Sequence, residues 1–117
     1  MDINKNITIV IVTYQTERKI LRKCLKSINK KFKILIIENS EKFENQKLFL
    51  KEFKNLKIIC SGLNLGYGGG NNFGLNRVKT RYALILNPDT QLQSSFFLNL
   101  KVILKKLTNF HLIGCSQ

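Results

Sequence analysis

Seven acidic residues stand against twenty lysines and arginines in this 117-residue chain, so each carboxylate can be weighed individually. Glu17, Glu41, Glu44 and Glu52 fall on expected helices or their approaches, and Asp2 lies in the leading tail. Glu38, in Glu38-Asn39-Ser40, and Asp89, in Asn87-Pro88-Asp89-Thr90, each follow an apolar run. A carboxylate at a strand end can serve a hard cation. Mg2+ and Mn2+ prefer oxygen ligands, and Mg2+ takes only one or two carboxylates when phosphates complete its shell. Pro88 keeps Asn87 extended and so aims the next side chain outward. The plainer use of the tetrapeptide is a turn or a helix cap.

Between these carboxylates runs Asn64-Leu65-Gly66-Tyr67-Gly68-Gly69-Gly70-Asn71-Asn72. As a loop, its glycines can take positive φ and turn successive N–H groups toward an anion. Asn71, Asn72 and the start of a following helix add donors. No Gly-Lys-Ser/Thr follows, so it is no Walker loop. The dinucleotide pattern G-x-G-x-x-G fails at Asn71 and belongs after a first strand rather than a third. A merely flexible segment is the alternative. Glu38-Asn39-Ser40 can accept from a base N–H or a ribose hydroxyl, or simply form a strand exit. Tyr67 either stacks on a ligand or covers the loop. His111, the sole histidine, has no partner in sequence reach and is read as structural.

The elements that must carry these residues follow from periodicity. Ile7–Tyr14 and Lys33–Glu38 are nearly continuous β-branched and apolar runs, as buried parallel strands require. Leu56–Cys60 and Tyr82–Leu86 read as two further strands. Helical stripes appear at Ile20, Leu21, Cys24, Leu25 and Ile28, with Thr16 as N-cap, and over Asn45–Phe53 and near Asn71–Val78. Another carries Phe96, Phe97, Leu100, Ile103, Leu104 and Leu107 behind Ser94 or Ser95. His111–Cys115 resembles the start of a fifth strand. Strands alternating with helices predict an α/β fold with a doubly wound, mainly parallel sheet, truncated after the fifth strand begins. Ligands of such sheets bind beyond the carboxyl ends of the strands, where Tyr14, Glu38 and Asp89 should share one rim.

Composition narrows the class. An apolar share of 44% suits one globular domain, and no run approaches the ~20 residues of a membrane span. The N-terminus lacks the order of a signal peptide, so a cytoplasmic protein is expected. Cys24, Cys60 and Cys115 fit neither a disulfide framework nor a zinc site and are expected to be buried small hydrophobes. The net charge of +13 raises a basic nucleic-acid-binding α/β domain as an alternative. The lysines are dispersed, however, with little aromatic interleaving. A dinucleotide-dependent oxidoreductase is a further alternative, weakened by the failed third glycine. So positive a surface would also draw phosphorylated small molecules and anionic membranes.

Taken in order, Val12-Thr13-Tyr14-Gln15, Glu38-Asn39-Ser40, Asn64-Leu65-Gly66 through Asn71, and Asn87-Pro88-Asp89 resemble the motifs of family-two glycosyltransferases, with the rhamnosyltransferase-like branch nearest. The resemblance covers about Ile7 to the end. It implies the nucleotide-binding half of an enzyme moving a sugar, with inversion, from a nucleoside diphosphate sugar to an acceptor hydroxyl, in polysaccharide or cell-surface glycan synthesis. By that resemblance Thr13, Tyr14 and Glu38 hold the base and ribose, with Asn39 beside them. Asn64, Gly66 and Asn71 lie by the sugar-nucleotide pocket, Asn87 lies near the ribose, and Asp89 binds a divalent cation, Mg2+ or Mn2+. Glu38 replaces the usual aspartate and reaches about one methylene farther. The family's general base lies in the following, acceptor-binding half, so residues 1–117 would be an incomplete domain with no catalytic residue assigned. The partners implied are a nucleotide sugar and a glycan or lipid-linked acceptor, with no nucleic acid. Peripheral association with the inner face of the membrane through the basic surface is also expected.

Overall fold

The computed structural model describes residues 2–107. The β-branched runs become the two central strands, β1 (Ile7–Thr13) and β2 (Lys33–Glu38), flanked by β3 (Leu56–Cys60) and β4 (Tyr82–Leu86). The four pair in the order β3-β2-β1-β4, all parallel. Between them run α2 (Arg18–Lys26), α3 (Gln46–Glu52) and α4 (Gly66–Leu75), with α5 (Phe96–Lys106) after β4. A short helix, α1 (Ile3–Asn6), precedes β1 where only a tail was expected. The expected fifth strand, with His111 and Cys115, lies outside the described residues.

Every residue of β1 is buried, because helices cover both faces of the sheet. On one face Ile9, Ile11, Ile34 and Ile36 pack with Leu21 and Leu25 of α2, Phe49 of α3 and Leu104 of α5. On the other, Val12, Leu35 and Ile37 form a second core with Phe73 of α4. This is the doubly wound arrangement the alternation of elements implies. Register sets the rim. Thr13 pairs with Glu38, and Glu38 with Cys60, so β1, β2 and β3 end level. The last β4 pair is Ile11 with Leu86, which leaves Asn87-Pro88-Asp89 to climb past Val12 and Thr13.

The glycine-rich segment departs from expectation. Instead of a loop leading to a helix near Asn71–Val78, helix α4 starts at Gly66 and ends at Leu75. Within the run only Gly66 has a left-handed φ, +75°. The reason is packing rather than turn geometry. A Cβ on Gly70 would sit 2.7 Å from Val12 Cγ1, and one on Gly74 would sit 2.8 Å from Val10 Cγ1. Glycine on this stripe lets the helix backbone lie directly on β1 and β2, and that contact outweighs a propensity penalty of about 1 kcal/mol per glycine.

Smaller differences concern caps and cysteines. The residue capping α2 is Glu17 rather than Thr16, and neither it nor Ser95 before α5 makes a side-chain cap bond. Cys24 is fully buried, whereas Cys60 is only partly so. Among the described residues no helix is long and apolar enough to cross a membrane.

Candidate functional site

Parallel strands put the exits of β1, β2, β3 and β4 on one edge, and all nine sequence-predicted site residues lie on or near that edge or on α4 beside it. They divide by exposure. Tyr14, Asn64, Gly66, Asn87 and Asp89 are exposed, while Thr13, Glu38, Asn39 and Asn71 are buried.

The buried set forms a framework. Glu38 has no exposed surface, and both carboxylate oxygens are occupied. Thr13 Oγ1 donates to Oε1 at 2.9 Å and Ser40 Oγ to Oε2 at 2.7 Å. The Gln15 backbone N–H points between the two oxygens, 3.3 and 3.2 Å away. Asn39 Nδ2 donates to the Gly66 carbonyl at 2.8 Å, and Ser61 Oγ donates to Asn39 Oδ1 at 3.1 Å. One buried amide thus ties the start of α4 to the exits of β2 and β3. Asn64 Oδ1 accepts the Gly66 N–H at 2.9 Å, occupying one free donor of the helix N-terminus. Asn71, on α4, has a buried Oδ1 with no partner.

Above this framework opens a cavity of about 710 Å³, within the size range of small-ligand sites. Tyr14, Asn39 and Asn64 line it, together with Arg18, Ser40 and Lys42. Thr13, Glu38, Gly66, Asn71, Asn87 and Asp89 do not. Arg18 joins two of its walls: Nη1 donates to Thr16 O and Nε to Glu44 O, both at 2.9 Å, with the guanidinium 3.9 Å from the Phe43 ring centre. Burial lowers the Arg18 pKa, partly opposed by Glu38 and Glu44. The sequence reading missed Arg18 and Lys42, which look there like ordinary surface charges.

The β4 exit is built differently. Asn87 O accepts the Thr90 N–H at 3.1 Å in a turn, and Asn87 Oδ1 accepts the Tyr67 hydroxyl at 2.7 Å. From the opposite face of the sheet, Cys24 Sγ lies 3.8 Å from Asn87 O, and the Leu92 N–H donates to Ser27 Oγ at 3.0 Å. Helices α2 and α4 therefore brace the turn that presents Asp89. Burial, and then the Asp89 charge, push the Cys24 thiol up to about 11. Among the described residues Asp89 has no ion-pair partner, and no three acidic, histidine or cysteine side chains gather as a metal cluster. An exposed, unpaired carboxylate fits a cation shared with a phosphate ligand. It does not fit an all-protein metal cage.

The chain is thus a doubly wound parallel α/β protein with a cavity at the carboxyl rim of its sheet, where open sheets of this class bind their ligands. Residues 8–108 match the description "Glycosyl transferase family 2", and the chain belongs to that family. It is similar to the teichoic acid poly(glycerol phosphate) polymerase of Staphylococcus epidermidis, 29% identical over 73% of this chain and 13% of that protein. It is also 29% identical to the low-salt glycan biosynthesis hexosyltransferase Agl10 of Haloferax volcanii, over 93% of this chain and 36% of that one. The chain thus spans little more than a third, at most, of these two relatives. The crystal structure of S. aureus TarS shares the fold, with TM-score 0.71 and 16% identity over 86% of this chain and 19% of that one. TarS 1-349 in complex with UDP superposes equally well, covering 32% of that chain.

Proposed function

We propose that residues 1–117 are the donor-binding part of an inverting glycosyltransferase, which moves a sugar from a nucleoside diphosphate sugar to an acceptor hydroxyl in cell-surface glycan synthesis. One observation carries this reading: a nucleotide-sized polar cavity and the unpaired carboxylate of Asp89 share the carboxyl rim of one parallel sheet. The family, the glycan-synthesis relatives and the UDP complex of the similar fold support it.

Tyr14 and Asn64 contact the base and ribose in the cavity, whose charged lining is Arg18 and Lys42 together with Glu17, Glu41 and Glu44. Asn87 and the exposed N-terminal turn of α4, from Gly66, face the diphosphate side. Thr13, Glu38 and Asn39 act from below, by fixing the loops that reach the donor, and Asn71, on α4, lies by the sugar-nucleotide pocket. Asp89 would hold a Mg2+ or Mn2+ ion, which would supply positive charge to the diphosphate. No described residue is assigned as the general base. Transfer is proposed for a longer protein that supplies that base and the acceptor site. The dispersed lysines would hold such a protein against an anionic membrane surface on the cytoplasmic side.

Calorimetry with UDP, dTDP and GDP, with and without Mn2+, tests the donor site. One diphosphate should bind, more tightly with Mn2+, and Asp89→Ala should remove the metal-dependent part. Equal or absent binding of all three, with no response to Mn2+, would overturn the reading.

A further inference from the structure

All four strands run parallel, so their starts share one edge, opposite the rim. Six cations gather there: Lys30, Lys31 and Lys33 at the start of β2, Lys54 before β3, and Lys79 and Arg81 before β4. Every one is exposed and none lies on a helix. Among the described residues none is within 4.0 Å of a carboxylate. Hydrogen bonds hold these strand starts level. Thr8 Oγ1 and Thr80 Oγ1 lie 2.7 Å apart, and Asn55 Nδ2 donates to Phe32 O at 2.8 Å.

The acids lie elsewhere. Glu17, Glu38, Glu41, Glu44 and Asp89 end strands at the rim or line its cavity, or follow a strand there. Asp2 is engaged by Lys5, and Glu52 by Arg22 and Lys26. The seven residues of β1 separate the two edges by about 20 Å, more than twice the ~8 Å Debye length of physiological salt. The acidic pole therefore does not cancel the basic one.

We propose that this basic edge docks the protein on an anionic lipid bilayer, with the strands upright and the rim facing away from the headgroups. The inference deepens the membrane association proposed above, and rests on it, by assigning that role to one surface. Five of the six cations are lysines, and an ammonium meets a phosphate as a point charge, with no demand for the forked geometry of a guanidinium. Four strand starts spread the charges along a front about 14 Å wide, suited to a plane of separate headgroups. A nucleic acid fits less well. Among the described residues the exposed aromatic rings are Tyr14 and Tyr67, near the rim, so bases would find no ring to stack on at this edge.

Each basic residue near an anionic surface contributes about a fivefold factor in binding. Changing Lys30, Lys31, Lys79 and Arg81 together to Gln should therefore weaken sedimentation with vesicles of phosphatidylglycerol and phosphatidylcholine on the order of 100-fold at about 0.1 M salt. Lys19, Lys23, Lys47 and Lys51, exposed on α2 and α3, carry the same total charge, and changing them to Gln should cost less than about fivefold. In the parent, vesicles should slow amide exchange at residues 29–33 and 78–82 and leave residues 14–18 and 62–65 unaffected. Equal losses in the two variants would mean that net charge alone acts and would overturn the assignment, as would protection at the rim instead. Tighter binding of the parent to duplex or single-stranded DNA than to the vesicles, lost with the same four residues, would make the edge a nucleic-acid surface and overturn it too. A parent that ignores anionic vesicles would remove the membrane association altogether, whereas the donor site is decided separately by the diphosphate titrations.

Discussion

The two ends of the rim are built on opposite plans. At the β1–β2 end, a buried carboxylate, a guanidinium stacked on a ring and a buried amide cross-link the loops before any ligand is present. At the β4 end, the Asp89 turn is braced only from its flanks, by a phenol hydroxyl, a thiol and a serine on neighbouring helices, while its carboxylate stands free. Preorganisation favours a ligand part that is always the same, because ordering costs are then met during folding. A free carboxylate favours a part that changes during turnover, as a cation and a departing diphosphate do. The contrast agrees with the proposed division, in which the first end recognises the donor and the second handles its charge.

The sharpest way to break that division is at Asp89. Asp89→Asn should lower Mn2+-dependent diphosphate affinity on the order of 100-fold while leaving metal-free binding and the unfolding midpoint nearly unchanged, as an exposed surface site predicts. Loss of metal-free binding as well would show that both ends act as one unit. Next in size is Gly74→Ala. Its Cβ would lie 2.8 Å from Val10 Cγ1 and 3.1 Å from Ile37 Cγ1, so urea unfolding should show a loss of roughly 1–3 kcal/mol despite alanine's better helix propensity. The same change at Gly68 meets nothing within 4 Å and should instead stabilise by about 0.5–1 kcal/mol. Similar signs at the two positions would refute the packing account of α4.

A pH series probes the β4 end through Cys24. The thiol's ordinary value of 9.0 is raised to about 11 in the folded chain, by burial first and the Asp89 charge second. A raised folded pKa contributes stability that is complete below pH 9 and disappears as pH climbs toward 11. Between pH 8 and 10.5 the parent should therefore lose on the order of 1–2 kcal/mol more stability than Cys24→Ala. Parallel pH curves for the two chains would mean that the thiol is neither shielded from water nor near the Asp89 charge.

How much of this was legible in the residues depends on what each feature rests on. β1 to β4 were readable because near-continuous β-branched runs have few other uses, and the parallel sheet followed from their alternation with helices. The glycine run was misread. Five residues of Gly66–Gly70 carry four glycines, a composition that argues locally for a loop, and only the contact with Val10 and Val12 makes it a helix. Glu38 could be placed at a strand end, but not beneath the surface, because its burial depends on Thr13, Gln15 and Ser40 closing over it. Arg18 was invisible for a similar reason: its role comes from Thr16, Phe43 and Glu44, the latter two distant in the chain.

The smallest expected effect is the most discriminating for the brace at the β4 end. Tyr67 Oη donates to Asn87 Oδ1 at 2.7 Å across an exposed surface, where one neutral hydrogen bond contributes about 0.5–1 kcal/mol. Tyr67→Phe keeps the ring and removes only that bond. Its unfolding midpoint should scarcely move, while diphosphate affinity in Mn2+ should weaken about two- to fivefold, because the turn carrying Asp89 loses its tie to α4. A loss as large as that of Asp89→Asn would mean that the hydroxyl contacts the ligand directly. No loss at all would mean that α2, through Cys24 and Ser27, positions the turn unaided.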